Sequence, residues 1–212
     1  MNEVAQKIAE SLLQIKAIKL QPQKPFTWAS GWKSPIYCDN RVSLSHPAIR
    51  TDIRQKLAEV VQDEFGSVEM ISGVATAGIP QGVLVAQDLG LPFSYVRSSS
   101  KDHGRQNQIE GEIVSGQRVV VIEDLISTGQ SSLKAVEALR EAGCNVVGLV
   151  SIFNYGFEEA VENFKQAKLQ VISLCDYDTL VDIAAKFNYI HQDDIDMLKS
   201  WKRNPAEWGP AE

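Results

Sequence analysis

The segment with the most chemical content is VVVIEDLISTGQS at residues 119–131. Its four apolar residues, Val119 to Ile122, predict a buried strand, and Glu123 and Asp124 follow at the predicted carboxyl end. The turn after them is rich in serine, threonine and glycine and leads into a predicted helix. Backbone N–H groups at a helix start bind phosphate, and small hydroxyl side chains support such a site. Because the two carboxylates repel phosphate, they need another partner, and the vicinal diol of a sugar suits them.

Three other interpretations fit the same segment. Acids at a strand end are often only solvated, and a serine or threonine before a helix is often only an N-cap. An acidic strand end is also typical of P-loop nucleotidases, but the sequence contains no GxxxxGK[ST] motif. It contains no GxGxxG motif either, so P-loop ATP hydrolysis and dinucleotide binding are excluded. The first two interpretations stay open on this segment alone.

A second strand-to-helix turn lies in SGVATAGIPQG at residues 72–82. Its glycines and the helix-starting Pro80 are compatible with a second phosphate site. Tight packing between a strand and a helix selects the same small residues, so this turn alone does not predict binding.

A polar, basic segment follows at residues 98–108, SSSKDHGRQNQ, which has no apolar side chain and therefore predicts a mobile loop. Arg97 lies at its entrance, and Lys101 and His103 lie within it. An acidic protein that binds a polyanion needs cations close to the site, and a basic loop that closes over the substrate also excludes water. Disorder without function is the alternative.

Alternating strands and helices must position these residues. Five β-rich runs separated by helical patterns predict a parallel sheet covered on both faces. The runs are residues 68–72, 92–96, 118–123, 145–153 and 169–174. Ligands of such sheets bind at the carboxyl ends of the strands.

The first part of the chain follows a different pattern. Val4, Ile8 and Leu12 predict an amphipathic opening helix. Residues 21–41 are rich in proline, glycine and aromatic side chains and predict short strands and turns. A second helix is predicted to begin near Pro47 and to end at Gly66.

Composition excludes several classes of protein. The 212 residues include 21 Lys and Arg against 27 Asp and Glu, so the net charge of −6 argues against general binding of nucleic acid. No apolar run approaches the ~20 residues of a membrane span, and the N-terminus is neither a signal nor a transit peptide. Cys38, Cys144 and Cys175 are widely spaced, which supports neither a zinc site nor a disulfide framework. We therefore predict one domain over residues 1–212, in a reduced, cytoplasmic protein that binds neither nucleic acid nor membrane.

Together these segments resemble the orotate phosphoribosyltransferases over nearly the whole chain. VVVIEDLISTGQS is similar to the phosphoribosyl-pyrophosphate (PRPP) motif of type I phosphoribosyltransferases, which identifies the superfamily and not the base. The narrower assignment depends on FTWASGWKSPIYCDNR, on YVRSSSKDHGRQNQIEG, and on SIFNYGF, DYDTL and WKRNP towards the C-terminus. The overall run resembles the branch found in Bacillus-type bacteria.

The resemblance implies an α/β type I phosphoribosyltransferase fold, with a central parallel sheet of about five strands flanked by helices. The implied fold also includes a small N-terminal hood, formed mainly by residues 18–44 with the C-terminal segment. It further includes a flexible lid over residues 97–111. The implied reaction transfers the 5-phosphoribosyl group from PRPP to N1 of orotate. It releases pyrophosphate and forms orotidine 5′-monophosphate, a step of pyrimidine biosynthesis.

The resemblance also implies residue roles. Glu123 and Asp124 hold the ribose hydroxyls, and Ser127 contacts orotate as well as PRPP. The loop around the 5-phosphate comprises Leu125, Ile126, Ser127, Thr128, Gly129, Gln130 and Ser131. Arg97, Lys101 and His103 bind the pyrophosphate end and are the candidate catalytic residues, and residues 75–78 occupy the position of the family's pyrophosphate loop. Lid residues of the family often come from the neighbouring subunit, which implies a homodimer, and the Mg²⁺ cofactor is held mainly by substrate with no protein metal site.

Four positions depart from the enteric-type members of the family. Ala29 and Ser98 replace lysines, and Thr76–Ala77 replaces a Tyr-Lys pair. Fewer fixed cations place more of the charge stabilisation on Mg²⁺, Lys101 and Arg97, and Lys33 is a candidate for partial compensation. Two other functions stay open: a phosphoribosyltransferase for another base, such as a purine, and a non-catalytic PRPP-sensing regulator. The regulator is disfavoured because the chain shows no basic stripe and no helix-turn-helix appendage.

Overall fold

The structure, a computed structural model, describes residues 3–28, 30–98 and 108–208. Within these residues the helices are α1 (Glu3–Gln14), α2 (Pro47–Phe65), α3 (Gly78–Leu89), α4 (Gln130–Glu141), α5 (Glu158–Gln166), α6 (Tyr177–Lys186) and α7 (Asp194–Arg203). The strands are β1 (Ile18–Leu20), β2 (Phe26–Thr27), β3 (Lys33–Ser34), β4 (Ile36–Cys38), β5 (Met70–Val74), β6 (Phe93–Val96), β7 (Ile109–Glu110), β8 (Arg118–Ile126), β9 (Asn145–Asn154) and β10 (Val171–Asp176). The second helix begins at Pro47 and is followed by Gly66, as the sequence predicts.

The central sheet has six strands in the order β10-β9-β8-β5-β6-β7. The five predicted strands are present and mutually parallel, and helices flank them. The sixth strand, β7, pairs antiparallel with Tyr95 and Val96 of β6. The expectation of about five strands misses β7 because a two-residue strand is too short to show an alternating pattern.

β8 lies in the interior of the sheet, and its side chains alternate between two hydrophobic clusters. Val120 and Ile122 belong to the cluster that includes α1 and α2, whereas Val119 and Val121 belong to the cluster that includes α4. A sheet covered on both faces requires such a continuous apolar run, since successive side chains point in opposite directions. Pairing with β9 carries β8 to Ile126, beyond the end predicted at residue 123.

The connections diverge between β5 and β8. From β5 the chain crosses through α3 to β6 on one side, and from β8 it crosses through α4 to β9 on the other. The two loops therefore turn away from each other and leave a crevice between the carboxyl ends of neighbouring strands. Open α/β sheets bind ligands at such a point.

The hood, residues 18–44, consists of two antiparallel pairs and a 3-10 helix. β1 pairs with β4, β2 pairs with β3, and the 3-10 helix covers Asn40–Ser45. Trp28 of the hood packs against Tyr155 and Trp201, with ring centroids 5.3 and 5.6 Å apart. The indole N–H of Trp201 donates a hydrogen bond of 3.1 Å to the backbone oxygen of Lys33. The C-terminal helix α7, for which the sequence patterns give no prediction, thus holds the hood against the end of the sheet.

The two ends of the predicted lid, residues 97–111, leave the sheet side by side. The backbone N–H of Arg97 donates to the backbone oxygen of Gln108 at 2.8 Å, and β7 extends this pairing. Ile109 and Glu110 are therefore strand, not loop. Lys101 and His103 lie outside the described residues.

We expect Trp201→Ala to lower the free energy of unfolding by about 3–5 kcal/mol, since removing a buried tryptophan leaves a cavity that its neighbours fill only partly. Trp201 is fully buried and contacts the rings of Trp28, Tyr155, Phe157 and Tyr177. Chemical denaturation followed by circular dichroism measures the change. Trp201→Phe keeps a ring and loses the hydrogen bond to Lys33, so it should cost much less. Equal losses in the two variants would contradict the packing argument.

Candidate active site

An open cavity of about 260 Å³, here called the acidic cavity, lies at the carboxyl ends of β5 and β8. Residues of the hood, of the loop after β5 and of the end of β8 line it. They are Cys38, Asp39, Arg41, Val74, Ala75, Thr76, Ala77, Glu123, Asp124, Leu125 and Ser131. Two strand-to-helix turns and the hood therefore converge on one site, as the connection pattern of the sheet requires.

Glu123 is a buried carboxyl at the edge of this cavity, only 4% exposed. One of its oxygens accepts a 3.1 Å hydrogen bond from the Ser132 hydroxyl, and the other accepts a 3.1 Å bond from the backbone N–H of Asp124. Burial, reinforced by the neighbouring Asp124 carboxyl, raises the pKa of Glu123 well above its ordinary value. The pair therefore resists carrying two negative charges until a ligand supplies hydrogen-bond donors.

Asp124 is half-buried, and burial likewise raises its pKa. Its backbone oxygen accepts a 2.7 Å hydrogen bond from the side-chain amide of Asn40, which joins the hood to β8. Nearby, Arg41 binds both carboxylate oxygens of Asp39, at 2.7 and 3.0 Å. These hydrogen bonds from Arg41 lower the pKa of Asp39. The cation that the hood contributes to the cavity is therefore largely neutralised by its own neighbour.

The loop after β8 has the geometry of an anion-binding turn. Gly129 lies directly before α4 with φ of 76°, and a Cβ there would come within 2.6 Å of the Phe164 ring. Glycine is needed both for that backbone conformation and for the close approach. Ser131, in the first turn of α4, lines the acidic cavity. The first N–H groups of a helix have no partner within the helix, and helix starts therefore often bind anions.

The loop after β5 approaches β8 closely. A Cβ on Gly78 would lie 2.5 Å from the backbone oxygen of Ile122, so α3 can start at this distance only with glycine. The preceding residues Ala75, Thr76 and Ala77 line the acidic cavity, and the backbone N–H of Ala75 donates to the Val96 oxygen at 2.9 Å. Small residues in this turn thus serve strand–helix packing and also leave room for a ligand.

A second cavity of about 280 Å³, here called the aromatic cavity, adjoins the first. The two share Cys38 and Leu125. The other lining residues of the aromatic cavity are Thr27, Trp28, Tyr37, Ser127 and Tyr155. Burial raises the pKa of both the Tyr155 hydroxyl and the Cys38 thiol well above their ordinary values, so both stay protonated at neutral pH. Neutral rings with a few hydroxyl groups form a slot suited to a flat heterocycle.

The structure places five of the twelve sequence-predicted site residues on the lining of these cavities. Glu123, Asp124, Leu125 and Ser131 line the acidic cavity, and Leu125 and Ser127 line the aromatic one. The other predicted positions of the same loop are Thr128, which is half-buried, Gly129, and the exposed Gln130.

Two predicted site residues lie elsewhere, and two are not described. The side chain of Ile126 is fully buried in the hydrophobic cluster around α4, so only its backbone could serve the site. Arg97 is half-buried and lies 3.7 Å from the Glu110 carboxylate, away from the lining of either cavity. Lys101 and His103 lie outside the described residues, as does Ala29.

Several residues at the site have no role in the sequence-based prediction. Asp39, Asn40 and Arg41 line or brace the acidic cavity, and Trp28, Tyr37 and Tyr155 form the aromatic one. The available signal is the polar run DNR directly after the apolar strand IYC. Nothing in the sequence indicates that Tyr155, more than a hundred positions along the chain from Trp28, completes the same cavity.

Within the described residues, no group of three or more His, Cys, Asp or Glu side chains is placed to hold a metal ion. The carboxylates of Asp39 and Asp124 are nevertheless hard oxygen ligands on the wall of the acidic cavity. Two carboxylates are compatible with a Mg²⁺ ion only where the ion takes most of its ligands from another source. In the same described part of the chain, no helix is both long and apolar enough to span a bilayer.

We expect Glu123→Gln to be more stable than the native chain at neutral pH. A buried carboxyl with a raised pKa binds its proton more tightly in the folded state, so stability falls as pH rises above the ~4.3 of an unfolded glutamate. The loss continues until the pH passes the folded-state pKa, and glutamine avoids it. Thermal unfolding midpoints measured from about pH 4 to about pH 8 should show an advantage that grows with pH.

The exposed Glu137 of α4 provides the control, because Glu137→Gln removes a carboxyl that is not buried. A constant difference between Glu123→Gln and the native chain across this pH range would show that the Glu123 carboxyl does not titrate abnormally.

The phosphoribosyl transferase domain family matches residues 43–192. The chain is 55% identical over 208 residues to the orotate phosphoribosyltransferase of Phocaeicola vulgatus, covering 98% of each chain. The crystal structure of orotate phosphoribosyltransferase from Aeropyrum pernix matches with a TM-score of 0.75 and 30% identity, over 87% of this chain and 99% of that one.

A further solved structure is the orotate phosphoribosyltransferase of Mycobacterium tuberculosis H37Rv in complex with PRPP. It matches with a TM-score of 0.66 and 25% identity, over 84% of this chain and 98% of that one. The family predicted from the sequence is confirmed, whereas the Bacillus-like branch stays a prediction. With its parallel sheet, its paired acids at the end of β8 and this degree of identity, the chain belongs to the orotate phosphoribosyltransferases, a family of enzymes within the phosphoribosyl transferase fold.

Proposed function

We propose that this enzyme transfers the 5-phosphoribosyl group from PRPP to N1 of orotate, forming orotidine 5′-monophosphate and pyrophosphate in pyrimidine biosynthesis. The observation that carries the proposal is the junction of the two cavities at Cys38 and Leu125. A phosphorylated sugar in the acidic cavity would place its C1 next to a flat base in the aromatic cavity. Holding the two reacting atoms together in this way supplies much of the rate enhancement of a group transfer.

The acidic cavity suits the ribose 5-phosphate half of PRPP. Asp124 is the carboxylate with access to the ribose diol, and Glu123 supports it from the more buried position. The loop from Leu125 to Ser131 supplies backbone N–H groups and hydroxyls for the 5-phosphate. The short side chains of Ala75, Thr76 and Ala77 leave the backbone of the other loop accessible to the pyrophosphate.

Transition-state charge defines what the remaining residues must do. As the bond from C1 to pyrophosphate breaks, positive charge builds on the ribose ring and negative charge on the leaving group, as in glycoside cleavage. The half-buried carboxylate of Asp124 stabilises the ring charge from the sugar side. We assign three cations and donors to the pyrophosphate: Lys101, Arg97 and His103. Donors that are already positioned where charge develops stabilise the transition state most strongly. Orotate is already an anion, so the transfer demands no strong general base.

We assign Mg²⁺ as the cofactor. Asp39 and Asp124 are the protein oxygens that would help to hold it, with most of its ligands coming from PRPP. The ion would neutralise charge on the departing pyrophosphate. Among the described residues that line the acidic cavity, Arg41 is the cation, and its hydrogen bonds to both oxygens of Asp39 leave it less suited to this role.

Assembly and location are also part of the proposal. The active unit is a homodimer in which the lid of one subunit serves the site of its partner, and the enzyme is cytoplasmic.

Transfer to another base is the second candidate function, because the PRPP half of such an enzyme would be the same. The neutral lining of the aromatic cavity, with its ring hydroxyls and Ser127, does not by itself distinguish a pyrimidine from a purine.

The test is an assay of the purified protein with PRPP and Mg²⁺, offered orotate, uracil, adenine or hypoxanthine separately. We expect consumption of orotate alone, with release of one pyrophosphate for each base consumed. Asp124→Asn is the matched variant, since it keeps the size of the side chain and removes its charge; its transfer rate should fall roughly 10²- to 10³-fold. Consumption of adenine or hypoxanthine in place of orotate would establish the other-base enzyme, and consumption of no base would favour the PRPP-sensing regulator.

Sharing of the lid between subunits gives a further prediction. Lys101→Ala should reduce transfer by about 10²- to 10³-fold, the usual effect of losing one positioned charge-stabilising donor. If lid and cavity come from different subunits, mixing Lys101→Ala chains with Asp124→Asn chains restores part of the activity, because one site of the mixed dimer is intact. Each variant mixed with itself is the control. No recovery after subunit exchange, verified by labelling one variant, would show that each chain completes its own site.

A further inference from the structure

The aromatic cavity is lined, among the described residues, by neutral side chains alone, although the proposed base is an anion. The rings of Trp28, Tyr37 and Tyr155 provide flat apolar surface, and Thr27 and Ser127 provide hydroxyl groups. A carboxylate that leaves water for such a surface loses hydration that a few hydroxyls do not replace. A cation at the rim of the cavity would make binding of the carboxylate favourable.

Lys33 holds its ammonium group beside Thr27, which is one of the lining residues of the aromatic cavity. It lies opposite Thr27 in the antiparallel β2–β3 pair, and its Nζ donates a 2.9 Å hydrogen bond to the Thr27 hydroxyl. Within the described residues no carboxylate lies within ion-pair distance of it. An ammonium has three donors and this hydrogen bond uses one, so two are free for a ligand.

The backbone beneath Lys33 is held in place independently of its side chain. Its carbonyl oxygen accepts the 3.1 Å hydrogen bond from the buried Trp201 indole. Ser34, the next residue, is buried and shares hydrogen bonds with Ile36. The strand that carries the ammonium is therefore fixed, and only the four-carbon side chain has to adjust to a ligand.

Other cations of the hood are less suited to this role. Arg41 lines the acidic cavity and is bound to both oxygens of Asp39. Lys19 lies opposite Tyr37 in the β1–β4 pair, and among the described residues it makes no hydrogen bond to a lining residue of the aromatic cavity. From Phe26 to Trp32 the sequence contains no basic residue.

We propose that Lys33 is a specificity-determining residue: its ammonium, positioned by Thr27 at the rim of the aromatic cavity, binds the carboxylate of the pyrimidine base. The inference rests on the proposed function, because it identifies which chemical group of the base this enzyme selects. The contact is a charge-assisted hydrogen bond, which is stronger than a bond between neutral groups. It gives the site a preference for a carboxylated pyrimidine over the same ring without the carboxylate.

Two nucleotides isolate this contact. Orotidine 5′-monophosphate and uridine 5′-monophosphate share the ribose, the 5′-phosphate and the pyrimidine ring, and differ only in the carboxylate. Their dissociation constants can be measured by titration calorimetry against the native chain, Lys33→Gln and Lys19→Gln. Because the ratio of the two constants cancels effects on the sugar and phosphate, a purely structural disturbance of the hood would not change it selectively.

We expect the native chain to bind the carboxylated nucleotide more tightly, and Lys33→Gln to reduce the ratio of the constants roughly 5- to 30-fold. Binding of uridine 5′-monophosphate should change by less than about twofold, since it lacks the contacting group. Lys19→Gln removes the same charge from the neighbouring strand pair and should preserve the ratio. Thermal unfolding midpoints equal to that of the native chain would show that both variants are folded.

Three results would overturn the inference. An unchanged ratio in Lys33→Gln, or an equal loss in Lys19→Gln, would reject a specific contact while transfer to orotate by the native chain continued. A native chain that bound both nucleotides equally would reject recognition of the carboxylate altogether. Failure of the native chain to consume orotate with PRPP is a separate outcome, which would reject the proposed function itself and this inference with it.

Discussion

The acidic end of β8 is placed inside the molecule by strand pairing, and the rest of the site depends on this constraint. β5 pairs with β8 as far as Ile122, and β9 pairs with it past Glu123 to Ile126. This pairing holds the Glu123 carboxyl in a region where ionisation is unfavourable. Ser132 and the Asp124 backbone satisfy its oxygens. A buried carboxyl with a raised pKa is a feature that functional sites often contain.

The second half of the site depends on contacts between distant parts of the chain. The aromatic cavity exists because Trp28 of the hood packs against Tyr155 at the end of β9, and because Trp201 of α7 packs against both. The hood is made of two- and three-residue strand pairs, which are not stable by themselves. Its position above the sheet is therefore set by aromatic packing and by the hydrogen bonds from Asn40 and Trp201.

Fixed positive charge is scarce in the described part of the site. Arg41 is bound to Asp39, and Arg97 lies beside Glu110. Both of these cations therefore have a carboxylate as a close neighbour. Lys33 differs from both, because its described hydrogen bond goes to the neutral hydroxyl of Thr27.

Besides the family, which its resemblance to known sequences indicated, the sequence by itself determined the local features: the parallel strands, the acid pair followed by a turn rich in serine, threonine and glycine, and the glycine before α4. These follow from periodicity and from short motifs, whose physical causes act between residues close together in the chain. Tertiary structure decided the remainder. The tertiary structure buries the Ile126 side chain in the core and pairs Arg41 with Asp39. It also places β7 at the edge of the sheet and brings Trp28 into contact with Tyr155, which lies more than a hundred residues further along the chain. Such contacts depend on how the sheet, the hood and the C-terminal helix pack together, and this packing cannot be predicted from local sequence patterns.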